Sequence, residues 1–390
     1  RDKAAAEKRR ETAERKEAFE SELVSHAVPD EDRRCPQCHQ EGTPIGYKES
    51  IEFEYVTGHF RRRVHRRETV KCGCGKHLAT AEAPARVGEK TQFGPGLHAH
   101  VCVAKCADSI PLYRLEKQYE RAGIPISRSA LVTAFQRSGE LLRPIADLIL
   151  KQIAQQFIIG ADETTHRVQK DGRKVWVWAF VSDTLVGYKF STSRSGDTPV
   201  QVLGGTSGVL VVDGYSGYNA VSVPESRTRA GCLAHARRKL YELKDDHPQV
   251  QTALDLFRDV YIVEHDARSK GIVRTEAHTA MRKSRSAPAM AKLLEWLKQQ
   301  AAESPPKSAL SAAVNYSLNN WTELTQFLED SGIPPDNNWS ERALRVVALG
   351  RKNFLFFGHE EAGENAAAIY SVVRSCEVNG VDPIAYLTDV

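Results

Sequence analysis

Three carboxylates carry the chemistry that this sequence can do. Asp162 stands in IIGADETTHR, where an apolar run gives way to a polar one, and Asp213 stands in GVLVVDGYSGYN, where a second apolar run ends before Gly214. An acid at the end of a buried strand serves either as a helix cap or as a metal ligand, and Asp162 alone does not decide between them. Acids on adjacent strand ends can hold two divalent cations about 3.5 to 4 Å apart, which activate an attacking oxygen and stabilise a leaving one. Hard oxygen ligands select Mg2+ or Mn2+ over zinc. A third acid, Glu341 in NNWSERALRVVALGRKN, begins a helix after the breaker run SGIPPD. Its spacing leaves two readings open: a capping box with Asn338 as the N-cap, or a third ligand.

Acids so placed need strands to hold them. FIIGADETT, KVWVWAFVSD and VGYKFSTS alternate apolar or aromatic residues with others and read as three successive strands, turning at Asp171–Gly172 and at Asp183. A loop, SRSGDT, and a short helix opening at Pro199 lead to a fourth strand, which ends in Asp213, 51 residues after Asp162. Three strands, a helix and a fourth strand, with acids closing the first and fourth, are the plan of an α/β ribonuclease H-like nuclease core. Period-two alternation turns Glu163 to the opposite face from Asp162. From Ala220 to Pro335 the pattern is mostly amphipathic helix, a large insertion before the third acid.

Upstream, four of the eight cysteines form two tight pairs, Cys35/Cys38 in CPQCH and Cys72/Cys74 in KCGCGKH. Two alternating segments lie between them, IEFEYV and FRRRVHRRETV, so the stretch reads as a zinc-ribbon-like hairpin with a closed structural Zn2+ site. The single-residue spacer of the second pair leaves open whether Cys74 ligates or whether His77 or His39 replaces it. Arg61, Arg62, Arg63, Arg66 and Arg67 fall on this hairpin, and a local basic stripe points to a polyanion such as double-stranded DNA. Further on, LYRLEKQYERAG, a break at IPI and SRSALVTAFQRSGELL read as helix, turn and helix with Ser127 as N-cap. A helix-turn-helix presenting Arg128 and Arg137 and a plain helical hairpin fit that pattern equally. Cys102 and Cys106, spaced i, i+4 among apolar residues, read as buried core thiols.

At 390 residues with 41% hydrophobic and 27% charged side chains, the chain has the composition of a multidomain globular protein. The expected divisions are a charged N-terminal helix (1–34), the zinc-ribbon-like domain (35–90), a helical DNA-binding region (91–156), the first part of the core (157–219), the helical insertion (220–336) and the second part of the core with C-terminal helices (337–390). No apolar run approaches a membrane span, no signal peptide is recognised, and paired rather than framework cysteines suit a reducing compartment. The expectation is a cytoplasmic, nucleoid-associated protein with no membrane partner. The chain opens on Arg1, which leaves upstream residues open.

ADETTHRV, TSRSGDTP, VDGYSGYN, GCLAHARRKL, DNNWSERALR, LGRKNFLFFG and NGVDPIAYL, in this order and separation, resemble the transposase of the insertion sequence sixty-six family of bacterial mobile elements. CPQC, KCGC and SIPLYRLEKQYERAGIPISRSAL resemble that family's zinc-finger-like and helical segments. The resemblance implies a DDE transposase in which Asp162, Asp213 and Glu341 are the acidic triad, holding two Mg2+ or Mn2+ ions. It implies DNA cleavage and strand transfer at transposon ends, a dimer or larger assembly on DNA, and accessory proteins of the same element. Cys232 and His235 are similar to a Cys-x-x-His element of several DDE groups; ordinary packing at i, i+3 is the other reading. Arg345, Arg351 and Lys352, on or after the third-acid helix, become candidates for phosphate contacts. The alternative is a catalytically silent DNA-binding regulator or domesticated derivative with the same fold.

Overall fold

A computed structural model describes residues 60, 68–71, 78–80, 86–88, 91, 93–124, 126–223 and 225–390. The charged N-terminal helix, the four paired cysteines and Arg61, Arg62, Arg63, Arg66 and Arg67 lie outside the described residues. A short antiparallel pair, β1 (Thr69–Lys71) and β2 (Leu78–Thr80), precedes three helices: α1 (Pro95–Cys106), α2 (Leu112–Arg121) and α3 (Arg128–Ala154). Ser127 caps α3 as its sequence position suggests, accepting a hydrogen bond from the Ala130 amide. Cys102 and Cys106 are buried core thiols, as their spacing indicates.

Five strands follow within one sheet: β3 (Ile158–Arg167), β4 (Lys174–Val181), β5 (Val186–Ser191), β6 (Gly208–Val211) and β7 (Arg227–Ala230), ordered β5-β4-β3-β6-β7. β3, β4 and β5 form an antiparallel meander, whose turns fall where Asp171–Gly172 and Asp183 mark them. β6 runs parallel to β3 and β7 parallel to β6. A parallel return needs a crossover, and α4 (Asp197–Leu203) supplies it between β5 and β6. This mixed α/β arrangement is compatible with a nuclease-like core.

The remaining helices are α5 (Leu233–Tyr241), α6 (Val250–Ser269), α7 (Glu276–Met281), α8 (Ala287–Glu303), α9 (Ala309–Asn319), α10 (Trp321–Thr325), α11 (Asn338–Phe354), α12 (Glu360–Val378) and α13 (Pro383–Asp389). Alternation along β6 divides the interior in two. Leu210 and Val212 join a core built with α1–α3, α11 and α12, while Val209 and Val211 join a second core with α5, α6, α8 and α9. The edge strand β5 is protected by α12: Ser375 and Ser371 accept hydrogen bonds from the Val186 and Tyr188 amides at 3.2 and 2.8 Å, donors that an open edge would leave free.

Two elements depart from the sequence reading. β3 does not close at Asp162 but runs on to Arg167, because every residue from Gly160 to Arg167 pairs with β4. β7 lies inside the stretch read as mostly helical. Its four residues, RTRA, carry little apolar signal, and the fully buried Arg227 takes the place of an apolar side chain. The Arg227 guanidinium donates to the carbonyls of Ala154, Gln156, Phe157 and Val209 and to the Thr206 hydroxyl, which satisfies it without a carboxylate. Burial still lowers its pKa to about 10.

Candidate active site

Asp162 lies within β3, and Asp213 follows the end of β6, the parallel neighbour of β3. Gly160 on β3 pairs with Val211 on β6, and each acid lies two residues further along its strand direction. The face is set by the same register. Gly160, and therefore Asp162, is on the side covered by α11, for a Cβ at Gly160 would collide with the Trp339 indole and the Ser340 hydroxyl. Glu341 stands one residue further along that helix. Gly160→Ala is therefore expected to push α11 off the sheet, lowering stability by about 1–3 kcal/mol. A thermal melt of the variant checks this.

The start of α11 is fastened by Asn337, which is fully buried. Its side-chain amide donates to the Ala161 carbonyl at 2.7 Å, its backbone amide donates to Cys232 Sγ at 3.2 Å, and its Oδ1 accepts from Trp339 and Ser340. One residue thus ties α11 to β3 beside Asp162 and to the head of α5. The capping box expected from Asn338 does not form. Asn337, not Asn338, occupies the cap position, and no side-chain cap bond is made. Glu341 is left without a capping role.

Asp213 sits in the turn after β6, where its Oδ1 accepts from the Tyr215 amide at 2.9 Å. Arg229 of β7 holds that turn by donating to the Asp213 and Tyr215 carbonyls. The strand that the sequence pattern conceals therefore positions the second acid. Glu163 lies on the opposite face, as alternation requires, and its side chain is only 3% exposed. It accepts from Arg194 at 2.6 Å and from the Tyr218 hydroxyl at 2.7 Å.

Burial and the neighbouring acids both act on Asp162. Asp162 is pushed up to about 7, first by burial, then by the neighbouring Glu163, Asp213 and Glu341 charges, with the Glu163 amide opposing the rise. Glu341 Oε1 is buried without a hydrogen-bond partner. Both are the marks of a carboxylate group suited to a cation. A cavity of about 550 Å3 opens here, lined by Asp162, His235, Arg238, Glu341, Arg342 and Arg345 with their neighbours. Asp213 is not in its lining, and the three acids do not close to within 4.8 Å of one another. An adjoining cavity of about 520 Å3 shares Arg238 and Asn338 and adds Arg237, Arg258, Tyr241 and Tyr261.

The basic candidates fare differently. Arg345 is exposed on the cavity wall, and Lys352 is exposed at the end of α11. Arg351 is committed to the protein itself, donating to Thr164 and Thr165 at the far end of β3. Arg128 and Arg137 are both exposed, but nine residues apart on one helix they point to opposite sides. Arg137 also pairs with Glu140 at 3.2 Å. Arg194, Arg238 and Arg342 are not singled out by the sequence pattern; Arg194 and Arg238 lie in TSRSGDTP and GCLAHARRKL, whose in-register order is the available signal.

Residues 90–365 match the family described as "Transposase IS66 family", a span that contains all three acids. The chain belongs to that family. The IS66 role is that of a transposase, a DNA-processing enzyme. The chain is similar to three uncharacterized proteins of Sinorhizobium fredii (strain NBRC 101917 / NGR234). It is 32% identical to y4qI over 88% of this chain and 67% of that protein, and 32% identical to y4jD over 93% and 75%. With y4hP the identity is 28% over 83% of this chain and 63% of that protein. Among the described residues no helix is long and apolar enough to cross a membrane.

Proposed function

We propose that this IS66 family member is a DDE transposase with a ribonuclease H-like core, in which Asp162, Asp213 and Glu341 hold two Mg2+ or Mn2+ ions and the substrate is double-stranded DNA. The observation that carries the reading is the register of β3 against β6. Gly160 pairs with Val211, two residues before Asp162 and Asp213, and Gly160 faces the start of α11, one residue from Glu341, which supports reading the three acids as one site. Burial first, and then the charges of Glu163, Asp213 and Glu341, lift the Asp162 pKa to about 7, which fits the same reading, since a bound cation offsets both the desolvation and the repulsion of a carboxylate.

A divalent pair bound there supplies the Lewis acidity that lowers the cost of making the attacking and leaving oxygens anionic. The chain's own residues do the positioning. Asn337 fixes the start of α11 to β3, Arg229 fixes the turn that bears Asp213, and Arg238, Arg342 and Arg345 offer cationic contacts to phosphates beside the acids. In the first step a water oxygen bonds to phosphorus and the P–O3′ bond breaks. The freed 3′ oxygen takes up a proton, and the flanking strand keeps a 5′-phosphate. In the second step that 3′-hydroxyl bonds to a target phosphorus, displacing a target 3′ oxygen, which is protonated in turn. The zinc-ribbon-like segment, the Arg61–Arg67 stripe and the helical region are assigned to binding along the DNA, with two chains or more on paired ends.

Incubating the purified chain with DNA carrying the element's ends and Mg2+ tests the proposal. The expected products are 3′-hydroxyl nicks at the ends and joined target strands. Binding without nicking under either Mg2+ or Mn2+ would replace this reading with that of a DNA-binding regulator.

A further inference from the structure

A second set of donors adjoins the acids and shares one of them, Glu341, while its other two members have no part in the cleavage chemistry. Cys232 is the residue before α5, His235 lies in its first turn, and both approach Glu341 on α11, so that one ligand atom from each is within 4.8 Å of the other two. His235 Nε2 and Glu341 Oε1 are 3.7 Å apart, too far for a hydrogen bond. That Oε1 and the other ring nitrogen, Nδ1 of His235, are buried without partners. A buried polar atom left unsatisfied costs about 1–3 kcal/mol, so one on each of two neighbouring side chains calls for an explanation. Tetrahedral coordination at about 2.0–2.3 Å spaces N, O and S ligands roughly 3.3–3.7 Å apart, close to the separation already present between His235 and Glu341. Arg238 faces the opposite carboxylate oxygen, Oε2, at 3.6 Å, which leaves Oε1 turned to the cysteine and histidine.

We propose that Cys232, His235 and Glu341 form a binding site for a borderline-soft divalent cation of the Zn2+ class, whose occupation withdraws Glu341 from Asp162 and Asp213. A thiolate and an imidazole select Zn2+, whereas Mg2+ prefers oxygen and does not compete for the sulfur. The metal site stands on its own geometry; only the withdrawal of Glu341 rests on its reading as the third acid. Zinc then acts as an inhibitor of a magnesium-dependent reaction, through a carboxylate that both ions need.

Cobalt substitution reads the site without reference to activity. Titrating Co2+ into the full chain and into Cys232→Ala, the wild type is expected to show additional thiolate-to-cobalt charge-transfer absorption. Because both proteins keep Cys35, Cys38, Cys72 and Cys74, the difference spectrum isolates Cys232. His235→Ala, with folding checked by circular dichroism, provides the same comparison should Cys232→Ala fold poorly. In DNA cleavage at fixed Mg2+, each protein being scaled to its own zinc-free rate, half-inhibition by Zn2+ is expected to move at least about tenfold higher in either variant, since loss of an outer-shell partner alone costs that much affinity. Identical cobalt spectra in wild type and both variants overturn the site. Cobalt binding that depends on Cys232, together with unshifted zinc inhibition, overturns the withdrawal of Glu341. A chain that cleaves no DNA still gives the cobalt result, so failure of the transposase reading is distinguishable from failure of the metal site.

Discussion

Asp162→Asn is expected to reduce DNA cleavage by at least about 10^3-fold, the scale of losing one electrostatic contributor at a preorganised site, while leaving DNA binding in place. The same substitution is expected to make the metal-free protein more stable. Asp162 has a folded-state pKa of about 7 against an ordinary value of 3.8. A carboxyl raised in this way resists ionisation in the fold. The penalty is absent below about pH 4, grows as pH rises between the two values, and is complete above about pH 7. A tenfold change in an acidity constant corresponds to about 1.4 kcal/mol, so removing the ionisable group relieves on the order of 2–4 kcal/mol at pH 8. Thermal melts in chelator should therefore show Asp162→Asn melting above the wild type at pH 8, with the gap closing near pH 4. A variant that melts with the wild type at pH 8 contradicts the burial and neighbouring charge that raise the Asp162 pKa. Added Mg2+ should stabilise the wild type more than the variant, because a ligand bound to the folded state alone adds its binding free energy.

That combination of lost function and gained stability follows from how the sheet assembles the acids, and the sequence is informative about only part of it. β3, β4 and β5 are legible because their alternation and the turn residues Asp171, Gly172 and Asp183 agree with one another. Asp213 is legible because a short buried strand ends at a glycine. Asp162 is misplaced along its strand because ETTHR is polar, yet it pairs with KVWVW of β4. Backbone pairing decides strand length, and side-chain polarity only reports which positions face outward. β7 is hidden for a related reason. Its burial is achieved by Arg227, whose guanidinium finds carbonyl partners that no local pattern foretells.

The contacts that bring Glu341 to the acids are also non-local. Asn337 reaches Ala161 and Cys232, at sequence separations of 176 and 105 residues. Local spacing favours Asn338 as the cap, because the capping-box rule counts three residues back from Glu341. The breaker run before the helix fixes roughly where α11 starts; tertiary hydrogen bonds choose which asparagine sits at the junction. The same long separations explain why the Cys232, His235 and Glu341 group cannot be assembled from the sequence, although Cys232 and His235 stand out as a pair. Family resemblance names Glu341 where spacing leaves it undecided, and the geometry explains what frees its side chain from the helix end.

Arg282→Met is expected to destabilise the helical region by about 3–5 kcal/mol, the range for removing one member of a buried ion pair. Arg282 is 1% exposed and begins a π-helical turn, Arg282–Ser286, between α7 and α8. Its Nε and Nη2 donate to the two oxygens of Glu264 on α6 at 2.7 and 2.9 Å, and His278 contacts the same carboxylate at 3.2 Å. Nη1 donates to the carbonyls of Phe327, Asp330 and Ile333. Replacing the guanidinium strands a buried carboxylate and three carbonyls at once, so the loss exceeds that of one hydrogen bond. Because the pair itself offsets little of its desolvation cost, Glu264→Leu combined with Arg282→Met should be less destabilised than Arg282→Met alone. The effect should also reach the acids. The segment that Arg282 holds, Phe327 to Ile333, runs directly into Pro335–Asn337, and Asn337 sets the position of α11. Denaturant melts of the single and double variants give the coupling, and Mg2+-dependent cleavage below the melting range reads the displacement of Glu341. Cleavage should fall in Arg282→Met even where the protein remains folded. Unchanged cleavage in a destabilised variant would show that the 327–337 segment is held at Asn337 alone.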